Sequence, residues 1–333
     1  MGKLKNAFIS GTGYYLPEKV VTNADLSLLM DTTDEWIVER TGIKERRFIH
    51  AEMGPSDLAL PAAQMALEQA GLNKNDLDFI IFATSTPDFY APGSGVIFQE
   101  KFGVSDIGAL DVRMQCAGFI YGLSIAHQYI QTGQFRNILV IGAEVQSTAL
   151  DLTTRGRDTA VIFGDGAGAA IVSATDIDHG ILSTHLHSDG RYVKELWLES
   201  PSSRVSPRLS KEMLDEGRQY LFMNGQEVFR HAVSKFPKVI TEALDANGLS
   251  IEDLDLLIPH QANLRITQAI QKRLGLPDEK VVTNIEKYGN TTAATVPIAL
   301  AEAVRGNRIK SGDIVVLATF GSGFAWASAA MKW

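Results

Sequence analysis

ALEQAGLNKNDLDFII (Ala66–Ile81) and ALDANGLSIEDLDLLI (Ala243–Ile258) are two versions of one segment. Aligned without a gap they share Ala, Leu, Gly, Leu, Asp, Leu, Asp and Ile. Each reads as a helix, a turn and a strand. Ala66 and Ala243 lie 177 residues apart (243 − 66) in a chain of 333. Two further pairs follow in the same order. RNILVIGAEV (Arg136–Val145) is echoed by GDIVVLATFG (Gly312–Gly321), and DGAGAAIV (Asp165–Val172) by FAWASAAM (Phe324–Met331). One such match is within reach of chance; three in order point to two homologous halves rather than a solenoid, which needs more copies. Helical and strand-like segments alternate throughout, which gives an α/β class. The halves are expected at residues 1–175 and 176–333. The polar, Ser- and Pro-rich stretch Tyr192–Tyr220 reads as an irregular surface excursion between them.

Composition narrows the function. The net charge of −8 argues against broad nucleic-acid binding, which needs a basic face. No apolar run approaches the length that spans a bilayer, and the N-terminus MGKLKNAFISGTG lacks the apolar stretch of a signal peptide. Gly2 is not followed by Ser or Thr at the sixth position, which is Asn6, so myristoylation is not expected. A single cysteine forms no internal disulfide and no thiolate zinc site, and the expected location is the cytoplasm.

That cysteine, Cys116, lies in DVRMQCAGFIYGLSIAHQYI (Asp111–Ile130), between a strand-like run and a helix that is apolar on most of its sides. Gly118 and Gly122 would admit close neighbours. A helix start favours a thiolate, since unpaired N–H groups and the dipole are positive there. The bland alternative is a small buried hydrophobe. VVTNIEKYGNTTAATVPIALAEAV (Val281–Val304) reads as the counterpart, a strand, a loop and a small-residue helix, with Asn290 in the place of Cys116. In LDLLIPHQANLRI (Leu254–Ile266) a strand is stopped by Pro259, and His260 stands beyond its C-terminal end, where open α/β sheets build sites. Alone, His260 is a structural histidine and Asn290 a helix cap. Three polar residues at equivalent junctions are better explained by one site. GTGYYLP (Gly11–Pro17) is no dinucleotide fingerprint, and FGDGAGAA (Phe163–Ala170) lacks the Lys and Ser/Thr of a phosphate loop.

Cys116, PHQANLRI, YGNTTAATVP, FGDGAGAA and DTTDEWIVERTGIKER (Asp31–Arg46) together resemble the β-ketoacyl-acyl-carrier-protein (ACP) synthase III family over almost the whole chain. The resemblance implies a thiolase-like fold, two halves stacked as α-β-α-β-α. It implies an acyltransferase that starts fatty-acid synthesis, with acyl-CoA and malonyl-ACP as substrates and no metal or other cofactor. Cys116 would take the acyl group. His260 and Asn290 would stabilise the enolate left by decarboxylation, and the backbone N–H groups of Cys116 and Ser322 would hold the tetrahedral oxyanion. The family usually has glycine at position 322. Trp36 and Arg155 would sandwich the CoA adenine, with Thr32 as its polar contact and Gly225 and Asn263 along the pantetheine tunnel. Arg230, Arg265, Lys272 and Arg273 would receive the acidic carrier protein. A homodimer is implied, in which TPDFYAP (Thr86–Pro92) crosses to the partner and Phe89, Tyr90 and Ala91 line its acyl pocket. Short-primer relatives have a bulky aromatic where this chain has Ala91, so medium or long primers are expected. Three other readings fit parts of the pattern: a papain-like hydrolase, a non-catalytic carrier-binding module, and a condensing enzyme of a polyketide, quinolone or hydrocarbon pathway.

Overall fold

The computed structural model describes residues 6–50 and 52–333; Gly2 lies outside them. A five-stranded sheet belongs to the first half: β1 (Asn6–Tyr15), β2 (Phe79–Ala83), β3 (Gly108–Val112), β4 (Asn137–Glu144) and β5 (Gly166–Thr175), in spatial order β1-β5-β4-β2-β3. A four-stranded sheet follows: β6 (Gly180–Ser188), β7 (Leu256–Pro259), β8 (Ile314–Gly321) and β9 (Ala325–Lys332), in order β7-β8-β9-β6. Each sheet holds a parallel pair, β2 with β4 and β7 with β8, which antiparallel strands extend beyond β4 and β8; in the first sheet β3 adds a further parallel strand beside β2.

The opening repeat is now explained physically. Each copy ends a long outer helix, α1 (Pro55–Ala70) in the first half. Its Asp76 accepts the Asn73 N–H at 2.8 Å, as Asp253 accepts the Ser250 N–H at 2.8 Å, so one aspartate of the DLD motif caps a single 3₁₀ turn. The leucine, Leu77 or Leu254, is buried. The second aspartate reaches the next strand: Asp78 accepts the N–H groups of Arg136 and Asn137 at 2.7 and 2.9 Å, and Asp255 that of Ile314 at 2.8 Å. The motif therefore fixes the register at the start of each parallel pair. β4 and β8 keep the same separation of 177 (314 − 137), one residue away from the pairing read from RNILVIGAEV and GDIVVLATFG.

Two helices lie between the sheets: α2 (Gly118–Gln131) and, from the second half, α5 (Thr295–Arg305). The outer face of the second sheet is covered by α3 (Gly225–Asp245) and α4 (Leu264–Leu274), and that of the first by α1 with the helix Ser94–Phe102. This is the five-layer α-β-α-β-α arrangement. Gly122 is what lets α2 lie against the first sheet. A Cβ there would stand 2.9 Å from Val140 and 3.1 Å from Ile81.

Two expectations are corrected. The strand read at Val281 is reduced to a single parallel bridge with Leu257, so Asn290 follows a short helix, Ile285–Tyr288. The counterpart of Cys116 is Ala293, again 177 residues on (293 − 116). Cys116 stands in the 3₁₀ turn Gln115–Ala117 and Ala293 in the 3₁₀ turn Thr292–Ala294. Gln115 and Thr292, at matching places, have φ of 43° and 52°, a left-handed backbone that non-glycine residues adopt at a cost of about 1–3 kcal/mol. The excursion is ordered at its base, where Leu196 pairs with Met223 and Trp197 with Phe222.

Replacing Asp78 by Ala should destabilise the protein by about 1–3 kcal/mol, since two N–H groups lose a charged acceptor. Asp255→Ala, which frees one N–H at a more exposed site, should cost less. Urea midpoints of the two variants check the order.

Candidate active site

The C-terminal ends of β2, β4, β7 and β8 converge where α2 and α5 begin. Cys116, His260 and Asn290 are all buried there and line one cavity of about 550 Å³. Trp36, Gly225, Asn263 and Arg265 line the same cavity.

Cys116 is packed tightly from the second half. A Cβ added to Gly321 at the end of β8 would lie 2.7 Å from its sulfur, and Thr319 donates to its carbonyl oxygen at 2.8 Å. The helix start was expected to favour a thiolate. Burial instead, with the Glu144 carboxylate behind it, pushes the thiol up to about 12. The backbone N–H groups of Ser322 and Cys116 point at the sulfur and pull the other way, but desolvation wins. At rest Cys116 is a thiol.

His260 is held by its backbone N–H, which donates to Ala318 O at 2.8 Å. Burial pushes its imidazole down to about 3, so the ring is neutral. Its Nδ1 is 2.5 Å from Thr295 Oγ1, while that hydroxyl also faces Thr292 O at 3.1 Å. One hydroxyl proton serves only one of these two acceptors, so Thr295 can support either tautomer of the ring. Asn290 is fixed by a bridge to Phe163 and by its Oδ1, which accepts the Thr292 N–H at 2.8 Å. With the amide oxygen committed, the NH₂ is the group left for a ligand.

Glu144 was not singled out in the sequence. It is fully buried at the end of β4 and accepts from Thr86 Oγ1 (2.6 Å), Ser85 Oγ (2.9 Å) and Ala293 N (3.4 Å). It thus joins the turn after β2 to the turn that follows Asn290. Burial raises its carboxyl to about 7 against these donors.

The remaining sequence candidates are placed unevenly. Trp36 is flanked by two guanidinium groups, Arg40 and Arg157, each 4.6 Å from the ring centroid. Arg155 is not at Trp36. It is bound to Asp151 at 2.6 Å and packs on Gly217 and Tyr220 of the excursion, which draw it away. Arg157, two residues on, stands at the ring together with Arg40. Thr32 Oγ1 is shielded and without a partner among the described residues. Asn263 caps α4 and donates to Arg40 O at 2.9 Å. Arg265, Lys272 and Arg273 are exposed on α4, whereas Arg230 is ion-paired with Glu227. Phe89, Tyr90 and Ala91 are exposed and do not line this cavity. Among the described residues no group of three or more His, Cys, Asp and Glu side chains is placed to hold a metal ion.

Comparison with known proteins agrees with the geometry. The family models for 3-oxoacyl-ACP synthase III match residues 110–190, and for its C-terminal part residues 244–333. A β-ketoacyl-ACP synthase III of Caldanaerobacter subterraneus subsp. tengcongensis is 49% identical over 98% of this chain and 98% of that protein. One from Xanthomonas campestris pv. campestris is 45% identical over the full length of both. The chain belongs to the β-ketoacyl-ACP synthase III family. The crystal structure of the Aquifex aeolicus VF5 synthase III superposes with a TM-score of 0.90 at 40% identity, covering 98% of this chain and 100% of that one. The enzyme is therefore an acyltransferase of the condensing type with a thiolase fold, and the secondary-pathway reading is not favoured.

Two outcomes follow from the electrostatics. Alkylation of Cys116 by iodoacetamide should keep accelerating beyond pH 9, because the thiol ionises near 12. Glu144→Gln removes a negative neighbour and should move that profile to lower pH. His260 should contribute no acidic limb to condensation near 6.5, the ordinary histidine value, because it protonates only near 3; a limb that Glu144→Gln removes belongs to Glu144, raised to about 7. A limb at 6.5 that vanishes in His260→Gln would contradict the buried neutral ring.

Proposed function

We propose that Cys116 accepts the primer from acyl-CoA and that His260 and Asn290 stabilise the enolate formed from malonyl-ACP. The observation that carries this reading is the single cavity lined by all three side chains in a chain of this family. In the first half-reaction the sulfur attacks the thioester carbonyl and the bond to CoA sulfur breaks. The thiol proton leaves as the new bond forms and ends on the CoA thiol. The N–H groups of Cys116 and Ser322 are the donors for the tetrahedral oxyanion. In the second, malonyl-ACP loses CO₂ and its enolate carbon attacks the acyl-enzyme. The 3-oxoacyl-ACP departs and the cysteine sulfur regains a proton from solvent. Losing CO₂ generates the carbanion directly, so the site needs hydrogen-bond donors to the enolate oxygen more than a strong base.

CoA would lie along the cavity, its adenine at Trp36 against Arg157 rather than Arg155. The orphaned Thr32 hydroxyl would be the polar contact, and Gly225 and Asn263 would line the pantetheine. Arg265, Lys272 and Arg273 would receive the carrier protein, with Arg230 contributing less because Glu227 already neutralises it. The enzyme would act as a homodimer: Phe89 and Tyr90 are each 64% exposed in the single chain, a large apolar area to leave in water. Since the 86–92 loop does not reach its own cavity, any contribution of Ala91 to an acyl pocket would come from a second copy. There a methyl in place of an aromatic ring would leave room for medium or long primers. The location would be cytoplasmic; no helix among the described residues is long and apolar enough to cross a membrane.

Incubation with acyl-CoA followed by intact mass should show one acyl adduct, absent in Cys116→Ala. That variant should still decarboxylate malonyl-ACP. His260→Ala and Asn290→Ala should acylate but lose decarboxylation by roughly 10²–10³-fold. Failure of both at acylation alone would reverse the assigned roles. Octanoyl-CoA should outperform acetyl-CoA, and Ala91→Phe should invert that preference; an unmodified enzyme that prefers acetyl-CoA ends the chain-length proposal.

A further inference from the structure

The two halves differ most after their fourth and eighth strands. In the first half residues 145–165 connect β4 to β5. In the second, β8 turns into β9 through residues 322–324 alone. Ser322 opens this turn, in the place where the family usually has glycine. The substitution is accommodated because the left-handed backbone falls on its neighbour: Gly323 has φ of 139°, whereas Ser322 is not among the positive-φ residues.

Ser322 has two distinct contacts. Its backbone N–H points at the sulfur of Cys116. Its hydroxyl donates to the carbonyl oxygen of Leu196. Leu196 and its partner Met223 form the two-stranded base that closes the excursion, and both side chains line the catalytic cavity. The turn is also pinned on its far side, where Phe324 and Asp189 exchange N–H···O bonds at 3.0 and 2.7 Å. A residue with a free hydroxyl could have faced solvent here. Instead the side chain reaches the cavity wall while the backbone of the same residue reaches the nucleophile.

We infer that Ser322 is a positioning residue: its hydroxyl fastens the two-stranded base of the excursion to the turn that carries the oxyanion donor. Closure of the cavity wall around an acyl-CoA and alignment of the donor with Cys116 are then one event. Glycine at this position leaves the N–H but removes the fastening, so the coupling belongs to this chain's serine. The inference rests on the acyl-transfer role given to Cys116 above.

The test separates the half-reactions. With saturating acyl-CoA, Ser322→Ala should slow formation of the acyl-enzyme by about tenfold. This is less than the 10²–10³ expected for losing a donor outright, because the N–H remains but is less well aimed. Decarboxylation, which uses His260 and Asn290, should be unchanged. Ser322→Thr, which keeps the hydroxyl, should restore acylation to within about twofold. Acylation by Ser322→Ala at the unmodified rate overturns the inference. So does equal loss of both half-reactions, which marks a merely structural residue. Should Ser322→Ala not fold, amide hydrogen exchange on the unmodified enzyme decides. Binding of a non-transferable acyl-CoA thioether should protect residues 194–198 and 321–324 together, and protection of only one segment overturns the coupling. If the unmodified enzyme forms no adduct with any acyl-CoA, it is the role of Cys116 that fails.

Discussion

Helix α2 is apolar on most of its sides, and that is the constraint on which the architecture turns. Phe119, Ile120, Leu123, Ala126 and Ile130 are buried along one broad stripe, with Gly118 and Gly122 buried beside them, and so wide an apolar face is stable in water only when both sheets cover it. One sheet covers one side of it. The second sheet, built from the duplicated half, covers the other, and α5 lies beside it for the same reason. The N-terminal turns of these helices are therefore carried to the middle of the molecule, under the C-terminal ends of both parallel strand pairs. The site lies there because the core requires those turns to be there.

Burial at that point also decides the chemistry. A thiol at an exposed helix start is helped toward ionisation, but here desolvation and the carboxylate of Glu144 oppose it more strongly. The same burial keeps His260 neutral. An uncharged thiol and an uncharged imidazole suit a reaction in which charge appears only in transit, on an oxyanion and then on an enolate, because the donors then meet the transition state rather than a resting charge. Glu144 is the one strongly perturbed acid beside them. Its donors come from the turn after β2 and the turn after Asn290, so its carboxylate ties together two segments that belong to different halves of the chain.

The duplication also shows how a site is made from equivalent parts. The strained turn at Gln115 recurs at Thr292, yet only the first carries a thiol; the second carries Ala293, whose N–H is directed to Glu144. Divergence has left the geometry in both halves and the reactivity in one. The long first-half connection carries Arg155 and Arg157, and the short second-half connection carries Ser322. Arg155, Arg157 and Ser322 thus lie where the halves have ceased to match, whereas Cys116 lies where they still do.

The sequence by itself determined the α/β class and the internal repeat, and it singled out Cys116, His260 and Asn290, which the fold brings to one cavity. Each is written in local pattern: a repeat of aspartates that cap a turn and hold a strand, an apolar helix, a strand ended by proline. Tertiary structure alone decided what depends on neighbours remote in the chain. The thiol is protonated because of what encloses it. Arg157 meets Trp36 because Asp151 and the excursion hold Arg155 elsewhere. Asn290 is offset from the true counterpart of Cys116 because a strand shrank to one bridge. Glu144 has no motif to mark it, since its six-membered shell of donors is drawn from separate segments. Local propensity records which elements form. Charge state and partner choice are set by burial and by distant contacts, which no short stretch of sequence contains.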